Sequence, residues 1–122
     1  MANYKQLDAW KLSMELVKTV YILTKKFPKE ELYGLTSQVR RSAVSIPANI
    51  AEGLGRQYKK DTLQFLHISR GSIYELETLL NIAVEVEVIE TDDFNGIMII
   101  LERSLKVLNG LINSLENRTD LK

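Results

Sequence analysis

The sequence predicts an all-α chain: an up-down-up-down antiparallel four-helix bundle with a kinked second helix. Three observations predict it. Four stretches carry apolar residues at steps of three and four, the spacing that gathers them on one helix face. The breaks between those stretches are short: Phe27-Pro28 and the residues up to Gly34, then Gly55 to Tyr58, then Val86 to Glu90. Links of that length favour antiparallel neighbours. Finally, the one strand-like alternation, Val84, Val86, Val88 and Ile89, has no second stretch to pair with. Residues 1–122 read as one domain with one core.

The first few residues are polar and are expected to be extended. Helix 1 is expected to start at Asp8, a good N-cap, and to run to about Lys26. Trp10, Met14, Val17, Tyr21 and Thr24 form one stripe, and Leu12, Leu16, Val20, Leu23 and Phe27 another. Two stripes make a broader apolar face than one neighbour needs. Lys25 and Lys26 suit the negative end of the helix dipole. Phe27-Pro28 stops the helix, because the residue before a proline avoids helical geometry. Lys29 to Gly34 makes a connection with room for one helical turn.

Helix 2 spans about Leu35 to Leu54. Leu35, Val39, Ala43, Ile46 and Ile50 share a face, yet Pro47 sits among them. A proline there removes a donor and crowds the carbonyl of Ala43, at a cost of roughly 3 kcal/mol. The helix either ends near Ile46 or continues with a kink. Ala48, Ile50, Ala51 and Leu54 carry the pattern on, which favours the kink. Ser42 and Ser45 are placed to bond back to the helix backbone and ease it. Gly53 and Gly55 are expected to close the helix in the left-handed cap conformation. Asn49 and Glu52, one turn apart, are expected to form a buried or interfacial polar set. With Pro47 and Gly53 they make up a structural motif.

Helix 3 begins between Tyr58 and Asp61 and runs to about Val86. Leu66, Ser69, Ile73, Leu76, Leu80 and Ala83 form a heptad-spaced seam. Phe65, Ile68, Ser72, Leu79, Ile82 and Val86 lie beside it. Gly71 and Ser72 weaken the helix but leave room for a close neighbour. Thr91 is expected to cap helix 4, with Asp92 and Asp93 at its positive end. Helix 4 runs to about Glu116 along Phe94, Met98, Leu101, Leu105, Leu108, Ile112 and Leu115. A neighbouring stripe holds Ile97, Ile100, Ser104, Val107 and Leu111. The polar tail from Asn117 is expected to fray.

A monomeric bundle needs one core-facing stripe per helix, and helices 3 and 4 each have two. Large exposed apolar patches are rare on monomers. The surplus therefore predicts self-association through Phe65, Ile68, Leu79 and Ile82 on helix 3. Ile97, Ile100, Val107 and Leu111 on helix 4 would take part as well. The alternative is a single bundle with broad core faces.

Apolar content of 45% and charged content of 26% are ordinary for a globular protein. No apolar run approaches the roughly 20 residues of a membrane span. The start, Met1 to Asp8, lacks the apolar core of a signal peptide. The absence of cysteine fits the cytoplasm, and a single histidine argues against zinc. His67 has Gln64 three residues before it, so the Glu-x-x-His pattern of metal-binding bundles is missing. Gly53-Leu-Gly55 runs into Arg56-Gln57, which is not a phosphate-cradling loop. One histidine leaves little scope for a Ser-His site. The prediction is a non-enzyme with no metal and no cofactor.

Net charge is zero, but its distribution is uneven. Residues 1–70 hold 12 Lys/Arg against 6 Asp/Glu. Residues 71–102 hold 8 Asp/Glu and no Lys or Arg, among them Glu75, Glu77, Glu85 and Glu87. The two signs either pair, within or between subunits, or steer an anionic partner to the basic side. Two basic groups are candidates for nucleic acid. Arg40 and Arg41 are consecutive in helix 2, so they point about 100° apart. One is expected to reach outward to phosphate or carboxylate while the other pairs inside the oligomer; acids such as Glu52 or those after residue 71 are the structural partners. Arg56, Tyr58, Lys59 and Lys60 form a basic-aromatic loop, a composition that holds single strands by phosphate contact and stacking. It is more often the composition of a plain solvated loop.

The run Gly34-Leu-Thr-Ser-Gln-Val-Arg-Arg-Ser-Ala-Val-Ser-Ile-Pro-Ala-Asn-Ile-Ala-Glu-Gly53 resembles the signature of a known four-helix-bundle family. That family is encoded by intervening sequences within bacterial 23S ribosomal RNA genes and is often labelled S23 ribosomal protein. Trp10, Thr24-Lys-Lys-Phe-Pro28, Glu75-Leu-Glu-Thr-Leu79 and Leu108-Asn-Gly-Leu111 extend the resemblance over nearly the whole chain. It implies a ring-like homopentamer of four-helix subunits. It also implies a scaffold role toward RNA or a nucleic-acid-associated protein. A similar architecture occurs in the accessory protein of diversity-generating retroelements, a basic pentameric bundle that binds nucleic acid and a reverse transcriptase. This chain departs from that protein in being neutral overall. The alternative is a protein–protein interaction module without nucleic-acid affinity.

Overall fold

Four long helices carry the chain: α1 (Asp8–Thr24), α2 (Leu35–Leu54), α3 (Lys59–Glu85) and α4 (Thr91–Glu116). The computed structural model describes residues 3–119, so the start at Met1 and the end of the polar tail lie outside the described residues. None of the described residues is in a strand. Val84 to Ile89 forms the end of α3 and the turn after it.

The helix ends differ from expectation by one or two residues. Asp8 and Thr91 are the first residues of their helices, and Leu7 and Glu90 hold the cap positions without side-chain cap bonds. Asp8, Asp92 and Asp93 still sit in first turns, where the helix dipole favours negative charge. Of the described residues before α1, Asn3 and Leu7 are extended and the three between them are not. Tyr4–Gln6 makes a 3-10 turn, capped by the Asn3 side chain, which accepts from the Lys5 N–H. Tyr4 meets Trp10 edge-on at 5.6 Å, which ties this turn to α1. A second 3-10 turn, Lys29–Glu31, occupies the connection to α2. The Glu31 carboxylate accepts from the Leu35 N–H and so serves the start of α2.

Each helix packs against two others: α1 on α2, α2 on α3, α3 on α4, and α4 back on α1. Side-chain bridges fix the directions. Arg40 near the start of α2 reaches Thr24 at the end of α1, and Thr62 near the start of α3 reaches Gly53 at the end of α2. Arg70 of α3 reaches Asn109 late in α4, and Lys26 just past α1 meets Asp93 at the start of α4. Neighbours therefore run in opposite directions. The core at their centre includes Leu16, Val39, Ile46, Ile50, Leu66, Ile73, Leu76, Leu80, Leu101 and Leu108, all essentially inaccessible. Burying each such side chain stabilises by roughly 1.5–3 kcal/mol.

Helix α2 is uninterrupted through Pro47, which is buried. Extra donors reach the carbonyls beside it. Ser69 Oγ donates to the Ile46 carbonyl (2.8 Å), and Asn49 Nδ2 donates to the Ser45 carbonyl (2.8 Å). Ser42 bonds back to the Val39 carbonyl, as anticipated. Ser45 does not bond back. Its hydroxyl shares a hydrogen bond with Ser72 across the seam and accepts from Asn49.

The glycines of α2 act differently from the expectation. Gly55 is right-handed, with φ −85°, and no described glycine has positive φ. Gly53 matters for proximity: a Cβ there would lie 2.9 Å from Phe65 Cβ and 3.0 Å from the Thr62 carbonyl oxygen. The left-handed cap falls to Glu87, with φ 63°. Val88 N–H bonds the Ala83 carbonyl and Glu87 N–H bonds the Val84 carbonyl, the double closure that ends many helices.

Most of the surplus apolar surface is used inside the chain. Ile97 is buried, and Ile100, Val107 and Leu111 pack half-buried on the core. Ile97 and Ile100 line a groove with Ile22 and Leu23 of α1. The wide face of α1 thus absorbs the second stripe of α4. Leu79 is buried as well, and Phe65 is half-buried under Arg56. Of the eight expected interface residues only Ile68 and Ile82 are open, at 46% and 45% exposure.

Candidate functional site

The two basic groups sit far apart and in different surroundings. Arg40 and Arg56 are separated by sixteen residues of α2 and its cap, roughly 24 Å along a helix. They cannot grip one short ligand together.

At the first end, Arg40 and Arg41 divide their work. Arg40 Nε donates to Thr24 Oγ1 (2.8 Å), and its guanidinium lies over the Tyr21 ring at 4.8 Å. It clamps α2 to α1, and the expected pairing with Glu52 or a later acid is not what it makes. Arg41 is exposed and, among the described residues, has no ion pair or side-chain hydrogen bond. Both arginines border an open groove of about 620 Å³ with Tyr21, Leu32, Tyr33 and Val44. A sequence reading finds the two arginines but not this groove, because Leu32 and Tyr33 belong to a loop with no periodicity.

At the other end the basic-aromatic loop is partly occupied. Arg56 faces Glu52 at 3.5 Å, and its guanidinium covers the Phe65 ring at 4.6 Å. Lys59, which the structure makes the first residue of α3 and not part of a loop, donates from Nζ to the Arg118 carbonyl (2.7 Å) just past α4. Tyr58 and Lys60 remain exposed. Glu52 is exposed and turns to Arg56, while Asn49 turns to Ser45, so the two do not form one buried set. His67 joins α3 to α4: Nδ1 lies 2.8 Å from Arg70 and Nε2 3.5 Å from Glu116. Arg70 continues to Asn109 at 3.0 Å.

The charges of the chain are largely unpaired inside it. Among the described residues there are two ion pairs between Lys or Arg and Asp or Glu, and only Lys26–Asp93 (3.3 Å) joins the basic stretch 1–70 to the acidic stretch 71–102. Glu75, Glu77, Glu85, Glu87 and Glu90 have none. No group of three or more His, Asp or Glu among the described residues is arranged to hold a metal. No described helix is long and apolar enough to cross a membrane.

These features define a small all-α bundle with separated charge and an apolar groove. The profile of the 23S rRNA-intervening sequence protein family matches residues 5–110, and the chain belongs to that family. A crystal structure from Bacteroides thetaiotaomicron VPI-5482, a protein of unknown function from the S23 ribosomal protein family, is similar to this chain. The match has a TM-score of 0.79 and 25% sequence identity, covering 85% of this chain and 97% of that one. No curated protein matches.

Proposed function

We propose that the protein is a non-enzymatic helical scaffold that assembles with itself in the cytoplasm and engages RNA or an RNA–protein assembly. The observation that carries the reading is charge left unsettled inside the subunit. Among the described residues, the acidic stretch 71–102 and the basic stretch 1–70 share one ion pair, Lys26–Asp93. Charge of both signs left unpaired within the subunit suits association between copies. The resemblance noted above adds the ring of five. The RNA side of the reading rests on the family's link to 23S rRNA and on Tyr58 and Lys60, which stand exposed beside Arg56. A second reading, a protein-interaction module without nucleic-acid affinity, is favoured by the engagement of Arg56 and Lys59 within the chain.

Light scattering and RNA retention on one purified sample test both parts. Scaffolding of RNA predicts a stable oligomer and retention that falls steeply with salt, because phosphate contacts release counterions. Tyr58→Ala with Lys60→Ala is expected to weaken retention at least tenfold and leave the oligomer intact. An oligomer that retains neither structured nor single-stranded RNA at low salt selects the interaction-module reading.

A further inference from the structure

The groove beside Arg41 is an apolar feature left open. Tyr21, Leu32 and Val44 are between 40% and 48% exposed, and Tyr33 is 94% exposed. Four large apolar side chains around one depression are unusual for a surface that faces only water. Arg41 at its rim has no partner, and Arg40 forms part of its wall.

A complementary feature lies elsewhere on the same chain. Val86, at the end of α3, is 59% exposed, and its neighbours Glu85 and Glu87 are exposed acids without partners. The left-handed Glu87 and the two hydrogen bonds to Ala83 and Val84 hold this corner in a fixed shape. The result is a rigid apolar knob flanked by two negative charges. Val86 does not line the groove of its own chain.

We infer that the corner Glu85-Val86-Glu87 of one copy seats in the Tyr21–Tyr33–Val44 groove of a second copy, with Arg41 facing its carboxylates. This rests on the self-association proposed above and specifies which surfaces meet. Apolar contact supplies the attraction, and the opposite charges fix the partner and the register. Groove and knob are different patches, so the contact is head-to-tail rather than two-fold. Both patches lie at the same end of the bundle, the end where Lys26 meets Asp93 and Arg40 meets Thr24. Repeating a head-to-tail contact gives a ring where its rotation closes and a filament where it does not.

Complementation in solution tests it. Tyr33→Asp with Arg41→Glu spoils the groove, and Val86→Asp spoils the knob; all three positions are exposed. By light scattering, each full-length variant is expected to be monomeric. An equimolar mixture still has one intact groove and one intact knob per pair, so it is expected to give a heterodimer and nothing larger. A wild-type chain that is itself monomeric removes the self-association reading and this inference with it. An assembled wild type whose variants also stay assembled, or whose mixture yields no heterodimer, overturns this inference alone. A second measurement does not depend on weakening anything. The chain lacks cysteine, so Tyr33→Cys and Val86→Cys copies can be mixed and joined with a short thiol-reactive linker. The joined product is expected only from the mixture of the two variants. Its absence in an assembled sample counts against the contact.

Discussion

The seam between α2 and α3 and the inner and outer faces of α4 use the same two residue types in opposite ways. At the α2–α3 seam, Gly53 is pressed against Phe65 and Thr62, and Ser69 is buried with its hydroxyl bonded to the Ile46 carbonyl. On α4, Gly110 has nothing within 4 Å of where a Cβ would stand. Ser104 is as buried as Ser69, yet its hydroxyl has no partner. A glycine or serine inside a helix is thus not informative by itself. What decides its effect is whether a neighbouring backbone comes close enough to need it.

Alanine substitutions turn this contrast into a test of sign. Gly53→Ala is expected to have the largest effect, a loss of about 2–3 kcal/mol, because α3 must move away from its backbone. Ser69→Ala is expected to cost about 1–1.5 kcal/mol through the lost bond to α2. Ser104→Ala, the same change at matched burial, is expected to gain about 1 kcal/mol by removing an unsatisfied hydroxyl. Gly110→Ala is expected to gain slightly less, about 0.8 kcal/mol, from helix propensity in open space. Urea unfolding of the four variants at one protein concentration measures all of them, with concentration held fixed because assembly adds to apparent stability. If both serines shifted stability in the same direction, the contrast between the two regions would be lost.

Apolar periodicity places the four helices within a residue or two of their ends, since each stripe marks where a helix can bury a face. It does not say which neighbour covers the stripe. That is why Ile97 of α4 and Leu79 of α3 read as surplus surface although both are buried within the chain. Glycine was legible as a helix-ending residue but not as a spacer, because the approach of Thr62 and Phe65 to Gly53 depends on two helices at once. The same limit holds for the arginines. Composition marks Arg40 and Arg41 as a pair, and only the position of α1 separates them, with Tyr21 and Thr24 taking Arg40 and leaving Arg41 exposed. The groove and the Val86 corner carry no sequence signature, because each is assembled from a loop and helix ends.

Pro47 bears on the order in which the chain acquires its structure. A helix with a proline past its middle is poorly able to form alone, since propagation is interrupted where one hydrogen bond is missing. The donors beside that gap include Ser69, which arrives only with α3. We therefore expect α2 to condense late, on a partner helix already formed. In stopped-flow kinetics, substitutions along α2 should then speed unfolding and leave the refolding rate nearly unchanged. Refolding slowed as much as unfolding is accelerated would place this helix in the nucleus instead.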